Sequence, residues 1–416
     1  MPYCVVSKHP EEEKKGSHGN GIRIFYQRYG HGSTKVLLII GFAGTHDMWS
    51  PQIKGLAGTA ESQDEEAPAT AAAEAAEDGE GIEVCCFDNR GMGRSSVPAE
   101  RSQYTTIIMA KDAVALLDHL GWRKAHIFGH SMEYYQKRIT YMFVHNIGSM
   151  IASKLAAIAP ERVLSLALLN TTGGGFECFP KIDRKTMSLA FRFLRAKTPE
   201  QRAVIDLEVH YTKEYLDEHI GSSTRRKILY QEYVKGLTSN GMQSSHGFEG
   251  QINACWTHKL TSTELDRIRS GGFLVSVIHG RDDIIARLYH ARRLAEKLYP
   301  AARMVELHGG HLVSHERPDE VNLSLVELIK ASKSKLEPEN WSNIPKNAPG
   351  CMVPGLLGSL TKRSDDEVSY VVLTYSVLRK LQFTLLYFFG AILLCFEHAK
   401  KVLRILKPVR VAPAIS

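Results

Sequence analysis

The sequence has few cysteines, and they do not stand in a pattern that binds metals. Its 416 residues include 7 cysteines, which are scattered along the chain. It lacks C-x-x-C pairs, Cys/His clusters with the spacing of zinc ligands, and the even set of cysteines that a disulfide framework needs. We therefore expect neither a metal site nor a disulfide scaffold. We also expect the protein to reside in a reducing compartment.

The sequence also lacks a secretory leader and the clustered basic residues of a nucleic-acid-binding protein. Residues 1–15 are polar and charged, without the apolar run of a signal peptide, so secretion is not expected. The formal net charge is +7, but Lys and Arg do not form blocks interleaved with aromatic residues in the predicted core. These absences favour a cytoplasmic protein that binds no nucleic acid.

Continuous apolar runs alternate with helical patterns along much of the chain. Strands are predicted at residues 22–29, 36–40, 82–87, 125–128, 163–169, 273–279 and 304–307. Helices are predicted at residues 107–120, 289–298 and 318–332. This alternation predicts an α/β protein with a mostly parallel central sheet and helices on both faces.

Composition divides the chain into five regions. They are an N-terminal part of the core (1–170), a helical cap (171–265), a C-terminal part of the core (266–332), a linker (333–369) and a hydrophobic tail (370–416). The cap is predicted because the strand patterns stop and polar helical patterns with scattered aromatics replace them. Residues 57–81 are rich in Ala, Glu, Asp and Gly, which predicts a flexible acidic loop.

The tail contains an almost wholly apolar run, residues 381–396, followed by Lys400 and Lys401. A membrane-spanning helix needs about 20 apolar residues, and this run is slightly shorter. Two interpretations stay open. The run anchors the rest of the chain to a membrane, or it forms a helix that packs on the globular part or on a partner.

The central motif is FGHSM at residues 128–132, between a predicted strand and a helical stretch. A serine on a sharp strand-to-helix turn is the nucleophile elbow G-x-S-x-G, which exposes the serine hydroxyl. Here the fifth position is Glu133, and the missing glycine occurs later as Gly148. Removal of residues 133–147 would leave an uninterrupted elbow and helix. We therefore interpret residues 133–147 as an insertion.

The insertion allows two arrangements of the helix that follows it. If the insertion continued a helix from Ser131, it would add roughly 22 Å at about 1.5 Å per residue and carry Gly148 away from the elbow. In the other arrangement the insertion loops out, and the helix begins again at Gly148.

A serine nucleophile needs a base, and the base needs an acid that orients it. In this kind of fold the acid and then the histidine follow the serine along the chain. After Ser131, the predicted strand at 273–279 leads into a loop with two adjacent carboxylates, Asp282 and Asp283. The residues alone leave the choice between these two open.

The base is predicted in the loop after the last strand, which contains His308 and His311. His311 is favoured because the glycines before it let the loop pass close to the sheet. His308 competes with it, and His315 lies just beyond. His130, within the elbow motif, is interpreted as a structural or pocket-edge residue, because its position points it away from the serine hydroxyl.

An acyl-transfer enzyme also needs hydrogen-bond donors for the oxyanion that forms during the reaction. One expected donor is the backbone N–H of Met132, directly after the serine, and the other comes from the loop after the 36–40 strand. In that loop, residues 41–44, Phe42 is the predicted donor. Because the main-chain N–H is the donor, the Phe42 side chain can be apolar and line a pocket.

These stretches resemble the α/β-hydrolases, in particular the small esterases and lyases of that superfamily, including plant members. The matching stretches are IIGFAGTHDMW, CCFDNRGMGRSS, HIFGHSM, HGRDDIIA and LHGGHLVSHERPDEV. The resemblance covers about residues 22–332 and implies an α/β-hydrolase fold with a helical cap, a Ser–Asp–His triad and no cofactor. In the family the acid lies three residues after the glycine at the strand end, which selects Asp283.

The sequence therefore predicts a serine hydrolase in which Ser131, Asp283 and His311 form the triad. Its expected substrate is a small-molecule acyl compound: an ester, thioester, lactone or activated amide. The alternative is a catalytically impaired or ligand-binding member of the same fold, because the insertion interrupts the elbow motif.

Overall fold

The strands of the computed structural model follow the apolar runs of the sequence. They are β1 (Tyr3–Val6), β2 (Ile22–Tyr29), β3 (Thr34–Ile39), β4 (Ile82–Phe87), β5 (Ala125–His130), β6 (Val163–Leu169), β7 (His219–Ile220), β8 (Ser223–Thr224), β9 (Leu274–Gly280) and β10 (Ala302–Leu307). The structure describes residues 2–6, 21–63, 81–131, 147–178, 180–181, 183–239 and 244–346.

Several predicted regions lie outside the described residues. They are Met132 with nearly all of the insertion, most of the predicted acidic loop, the end of the predicted linker, and the tail with its apolar run at 381–396. The chain divides into two units, Met1–Cys351 and Met352–Ser416, and every described residue belongs to the first. Within the described ranges, no helix is long and apolar enough to cross a membrane.

Eight strands form one sheet in the order β1-β2-β4-β3-β5-β6-β9-β10. The strands β1 and β2 pair antiparallel with each other, and β2 pairs antiparallel with β4. From β4 to β10 all neighbouring strands are parallel. Parallel neighbours need crossover connections, which helices supply here. The predicted fold class, α/β with a mostly parallel sheet, is confirmed.

Some helices of the described residues pack on the two faces of this sheet, and others form the region that was predicted as a cap. They are α1 (Ser50–Ala57), α2 (Thr106–His119), α3 (Ile147–Ile158), α4 (Arg184–Arg195), α5 (Pro199–His210), α6 (Lys213–Asp217), α7 (Arg225–Ser239), α8 (Ser245–Thr257), α9 (Ser262–Arg269), α10 (Leu288–Lys297), α11 (Val313–Glu316), α12 (Pro318–Lys333) and α13 (Pro338–Trp341). Helices α4 to α9 stand between β6 and β9 in the chain, where the strand patterns stop.

Alternate residues of the central strands face two different hydrophobic cores. In β3, Leu37 and Ile39 belong to the core that contains residues of α2 and α3. Val36 and Leu38 belong to the core that contains residues of α1 and α12. Both faces of the strand are therefore buried, which explains a continuous apolar run in place of alternating polar and apolar residues.

The predicted strands and helices agree with the structure to within about two residues at each end, but several short elements were not predicted, among them β1 and α1. The strand β1 lies in an N-terminal stretch that was interpreted only as polar and charged, and it pairs with the edge of β2. Four residues are too few for an alternating pattern to show. The helix α1 was missed because it is short and contains Gly55, which weakens its helical pattern.

The first part of the predicted linker, 333–369, packs on the core. Trp341 is 6% exposed, and its Nε1 donates to the main-chain oxygen of Val275 at 2.8 Å. The Asn343 side chain exchanges two hydrogen bonds with the main chain of Met304, at 2.9 and 2.8 Å. This stretch is polar apart from the buried Trp341, which packs on the core. Residues up to about Asn343 therefore belong to the globular unit.

Gly148 lies directly against the elbow strand, which bears on the two arrangements of the insertion. A Cβ atom built on Gly148 would lie 2.2 Å from the main-chain oxygen of His130 and 2.6 Å from that of Ile39. A Cβ on Gly129 would lie 2.5 Å from the main-chain oxygen of Gly148. Only glycine fits such contacts. Gly148 is therefore not carried away from the elbow, and it occupies the position expected of the fifth glycine of the motif.

We predict that Gly148→Ala lowers the free energy of unfolding by about 2 kcal/mol or more, because the added methyl group meets main-chain atoms that cannot move cheaply. Gly58→Ala is the matched control. It adds the same methyl group in open space, at a φ of 71°, and should cost about 1 kcal/mol from the left-handed backbone alone. Urea unfolding of both full-length variants measures the difference. Equal stability losses would contradict the packing argument.

Candidate active site

The structure brings the predicted nucleophile and the predicted base together. Ser131 directly follows β5, and its main-chain N–H donates to the oxygen of Leu169 at 3.2 Å. Its Oγ lies 2.9 Å from Nε2 of His311. Both side chains are fully buried. A buried serine hydroxyl in hydrogen-bond contact with an imidazole is the arrangement that nucleophilic catalysis requires.

Asp283 completes this chain of contacts. Its Oδ2 lies 2.7 Å from Nδ1 of His311, on the side of the ring opposite Ser131. The loops after β9 and β10 can approach each other because they meet at glycines. A Cβ atom built on Gly280 would lie 2.2 Å from the main-chain oxygen of Gly310. The small residues before His311 thus let the loop pass close to the sheet, as the sequence indicated.

The competing acid and base candidates make contacts with other groups. Asp282 and His308 are about half exposed and face each other, with 3.1 Å between Oδ2 and Nδ1. Nε2 of His315 lies 2.9 Å from the main-chain oxygen of Met48, on the segment that leads into α1. Of the histidines in the described part of this loop, His311 is the one whose ring bonds Ser131.

His130 packs inside the fold next to the elbow. Its ring lies edge-on to Trp49, with 5.7 Å between the ring centroids. Burial holds the pKa of His130 well below its usual range, so the ring is neutral. Among the described residues, neither ring nitrogen has a hydrogen-bond partner. This agrees with the structural role that the sequence suggested, and not with a role as the base.

The loop that carries the predicted oxyanion donor is held by the cap. The main-chain N–H of Ala43 donates to Oε1 of Gln251 on α8 at 3.0 Å. The rings of Phe42 and Phe248 pack edge to face, with 5.0 Å between centroids. Ala43 has a φ of 53°, in the left-handed region, so the chain turns sharply directly after Phe42. The second predicted donor, Met132, lies outside the described residues.

Comparison with known proteins identifies the family. A family model described as alpha/beta hydrolase fold matches residues 35–132 and 134–318. The chain belongs to the α/β-hydrolase family. The two matched stretches are separated at Glu133, the residue that stands where the elbow motif has its last glycine.

Relatives and solved structures resemble the chain over most of its length. RutD of Azorhizobium caulinodans, which is provisionally named a carbamate hydrolase, is 26% identical over 313 residues, 74% of this chain and 96% of that protein. An enol-lactonase from Burkholderia xenovorans LB400 has a TM-score of 0.53 at 21% identity, covering 76% and 99% of the two chains. A thermophilic esterase from Thermogutta terrifontis has a TM-score of 0.54 at 18% identity, covering 80% and 98%. At these identities the two structures show a shared fold alone.

In this α/β-hydrolase the carboxylate of Asp283 is surrounded by donors. Its Oδ1 accepts from the main-chain N–H groups of Ile285 and Ala286, both at 2.8 Å. Its Oδ2 accepts from the Asn170 side chain at 2.6 Å. Burial alone would raise the pKa of Asp283, but the facing His311 and the Asn170 side chain lower it to about 2. Asp283 is therefore ionised at neutral pH and can hold the His311 ring by its Nδ1–H.

Asn170 is a site residue that the sequence analysis missed. It follows β6, has a φ of 47° and is fully buried. Its Nδ2 donates to Asp283, and the main-chain oxygen of Gly310 lies 3.4 Å away. Asn tolerates the left-handed conformation better than most residues, so one residue supplies both the turn and the donor. Its position directly after a buried strand was the signal that was available.

The described residues contain no group of three or more His, Cys, Asp or Glu side chains that could hold a metal ion. The candidate site is built from a hydroxyl, an imidazole, a carboxylate and main-chain groups. These can carry out acyl transfer with the protein's own side chains.

A second buried carboxylate, Asp88 at the end of β4, fixes the chain just beyond the Phe42 loop. Its Oδ1 accepts from the main-chain N–H of His46 at 2.8 Å and lies 2.9 Å from His46 Nδ1. Its Oδ2 accepts from the main-chain N–H of Arg94 at 3.0 Å. Burial opposes the charged imidazole, but Asp47 and Asp88 outweigh it and raise the pKa of His46 to about 9.

This contact predicts a pH-dependent stability between pH 6 and pH 9. The folded-state pKa of His46 lies above its ordinary value of 6.5, so its contribution is complete below pH 6.5 and is lost as the pH rises through 9. From pH 6 to pH 9 the free energy of unfolding should fall by about 2–3 kcal/mol more in the native protein than in His46→Gln. Urea unfolding at both pH values measures this, and parallel pH dependences would contradict it.

Proposed function

We propose that this α/β-hydrolase is a serine hydrolase that cleaves a small-molecule ester, thioester, lactone or activated amide. Ser131 is the nucleophile, His311 the general base and Asp283 the orienting acid. The observation that carries the proposal is the pair of buried contacts, 2.9 Å from Ser131 Oγ to His311 Nε2 and 2.7 Å from His311 Nδ1 to Asp283 Oδ2.

In the proposed first step, the Ser131 proton passes to Nε2 of His311 while Oγ attacks the acyl carbonyl carbon. Ionised Asp283 stabilises the imidazolium that forms. The negative charge on the carbonyl oxygen is received by the main-chain N–H groups of Phe42 and Met132. His311 then protonates the leaving group, whose bond to the acyl carbon breaks, and an acyl-enzyme remains.

In the second step, His311 removes a proton from a water molecule, whose oxygen attacks the acyl carbon of the acyl-enzyme. The bond from Ser131 Oγ to that carbon breaks, and Oγ takes the proton back from His311. The products are a carboxylic acid and free enzyme. Each step uses only Ser131, His311, Asp283 and main-chain donors, so no cofactor is required for this reaction.

The substrate class is supported by the chemistry in the names of the relatives. A carbamate, an enol-lactone and esters share an acyl carbon bonded to a leaving heteroatom. The aromatic side chains of Phe42 and Phe248 meet where the cap touches the predicted oxyanion loop. Apolar side chains beside the predicted oxyanion loop favour an acyl substrate with an apolar part.

The insertion favours one alternative, a catalytically impaired protein. Glu133 stands where the motif has glycine, and Met132, the predicted donor, directly precedes it. The position of Gly148 supports an intact elbow, because the close contact with His130 is kept. The two functions differ in whether Ser131 reacts.

We predict that Ser131→Ala lowers kcat/KM for p-nitrophenyl butyrate at least about 10³-fold, because no other side chain replaces the nucleophile. Ser324→Ala is the matched control and should retain the native rate, because the Ser324 hydroxyl on α12 donates to the main-chain oxygen of Glu320 in its own helix. The measurement is the release of p-nitrophenolate by full-length protein. Equal rates in native protein and Ser131→Ala would rule out the mechanism.

The alternative is decided by a fluorophosphonate probe, which labels an activated serine. If the full-length chain labels as fast as a variant that lacks residues 133–147, the insertion does not impair Ser131. Labelling of the deletion variant alone would establish the impaired form.

A further inference from the structure

The loop that carries His311 is bound to the cap at several points. We call residues 309–316 the histidine loop and residues 210–215, from the end of α5 to the start of α6, the cap segment. The main-chain N–H of Leu312 donates to the main-chain oxygen of His210 at 3.0 Å. The rings of His210 and His311 lie 5.9 Å apart between centroids. The cap segment is therefore in direct contact with the proposed base.

Glu316, the last residue of the histidine loop, joins the two segments. Its Oε1 accepts from the main-chain N–H of Gly310 at 2.8 Å and from that of Thr212 at 3.0 Å. Its Oε2 accepts from the Thr212 hydroxyl at 2.7 Å. The side chain is buried, with 7% exposed. One carboxylate thus holds the residue before His311 and the cap segment at the same time.

Two tyrosines of the cap segment bind the other end of the histidine loop. The Tyr215 hydroxyl donates to the main-chain oxygen of His315 at 3.1 Å, and the Tyr211 hydroxyl lies 3.4 Å from His315 Nδ1. The Thr212 hydroxyl also accepts from the main-chain N–H of Tyr215, and so caps the N-terminus of α6. The hydroxyl that binds Glu316 therefore also orders the start of a cap helix.

These contacts make the position of His311 depend on the position of the cap. The strand β10 holds the histidine loop before His311, and α12, α1 and the segment that leads into α1 hold it after His311. On either side of His311 itself, the main-chain N–H groups of Gly310 and Leu312 bind Glu316 and the cap segment. Transfer of the Ser131 proton needs a short, aligned contact, and a displacement of about 1 Å can cost a factor of about 10² in rate. A shift of the cap segment would reach His311 through Gly310 and Leu312.

We propose that Glu316 is a positioning residue, which, with Thr212, couples the cap to the reactive geometry of His311. The inference rests on the proposed hydrolase function, which it deepens. The cap in this proposal does more than cover the substrate: an acyl substrate that orders the cap segment also orders the base.

The decisive measurement uses a substrate too small to need the cap for binding. With p-nitrophenyl acetate, Glu316→Ala should lower kcat about 10–100-fold, and Thr212→Val about 3–10-fold, with little change in KM. Glu316→Gln should keep kcat within about 3-fold, because its amide oxygen can still accept from both N–H groups. Glu320→Ala, an exposed glutamate on α12, is the matched control and should behave as the native protein.

A second measurement does not depend on turnover. Hydrogen exchange of full-length protein should be faster in the peptide that contains the histidine loop in both Glu316→Ala and Thr212→Val, and unchanged in the α12 peptide. Thr212→Val removes a hydroxyl and leaves the main chain intact, so it reports on coupling even if Glu316→Ala does not fold.

The outcomes separate the two proposals. If turnover depends on Ser131 but Thr212→Val changes neither kcat for the acetate nor exchange of the histidine loop, the coupling is wrong and the hydrolase function stands. If turnover does not depend on Ser131, the hydrolase function fails, and the exchange measurement alone decides whether the cap holds the loop. A rise in KM with unchanged kcat would assign Thr212 and Glu316 to substrate binding and overturn the positioning role.

Discussion

The candidate site depends on four neighbouring parallel strands that end at the same edge of the sheet. In the order β5, β6, β9 and β10, each strand is followed by one residue of the site: Ser131, Asn170, Asp283 and His311. Adjacent strands lie about 4.8 Å apart, so the residues that follow β6, β9 and β10 can contact one another in order, as Asn170, Asp283 and His311 do. Because β6 and β9 stand between β5 and β10, His311 meets Ser131 only because the loop after β10 reaches back across the edge of the sheet.

In that geometry, segments of main chain approach each other too closely for a side chain, and glycines stand at these positions. Gly148 lets a helix lie against the ends of β3 and β5, and Gly280 lets the loops after β9 and β10 touch. A side chain at either position would separate groups that must be within hydrogen-bond distance. The contact of Gly148 with the end of β5 is present although the insertion stands between the elbow and Gly148 in the chain.

The cap is part of the site's construction. It holds the Phe42 loop through Gln251 on α8, and it holds the histidine loop through the Thr212–Glu316 contact. The two loops flank Ser131 in the strand order, since β3 lies on one side of β5 and the strands β6, β9 and β10 on the other. A change in the cap can therefore act on the proposed oxyanion donor and on the base as well as on substrate binding.

The sequence by itself determined the α/β fold, the bounds of the long strands and of three helices of the core, and the elbow and the two loops that supply the residues of the site. Buried strands leave continuous apolar runs, and the elbow, the acid loop and the histidine loop each follow such a run. Family spacing was still needed to choose Asp283 over Asp282. Only the tertiary structure decided the roles of Asn170, Glu316 and Thr212, the fit of Gly148 and the packing of Trp341. Their contacts join residues that are far apart in the chain. A local sequence pattern does not indicate which distant group a buried polar side chain will contact.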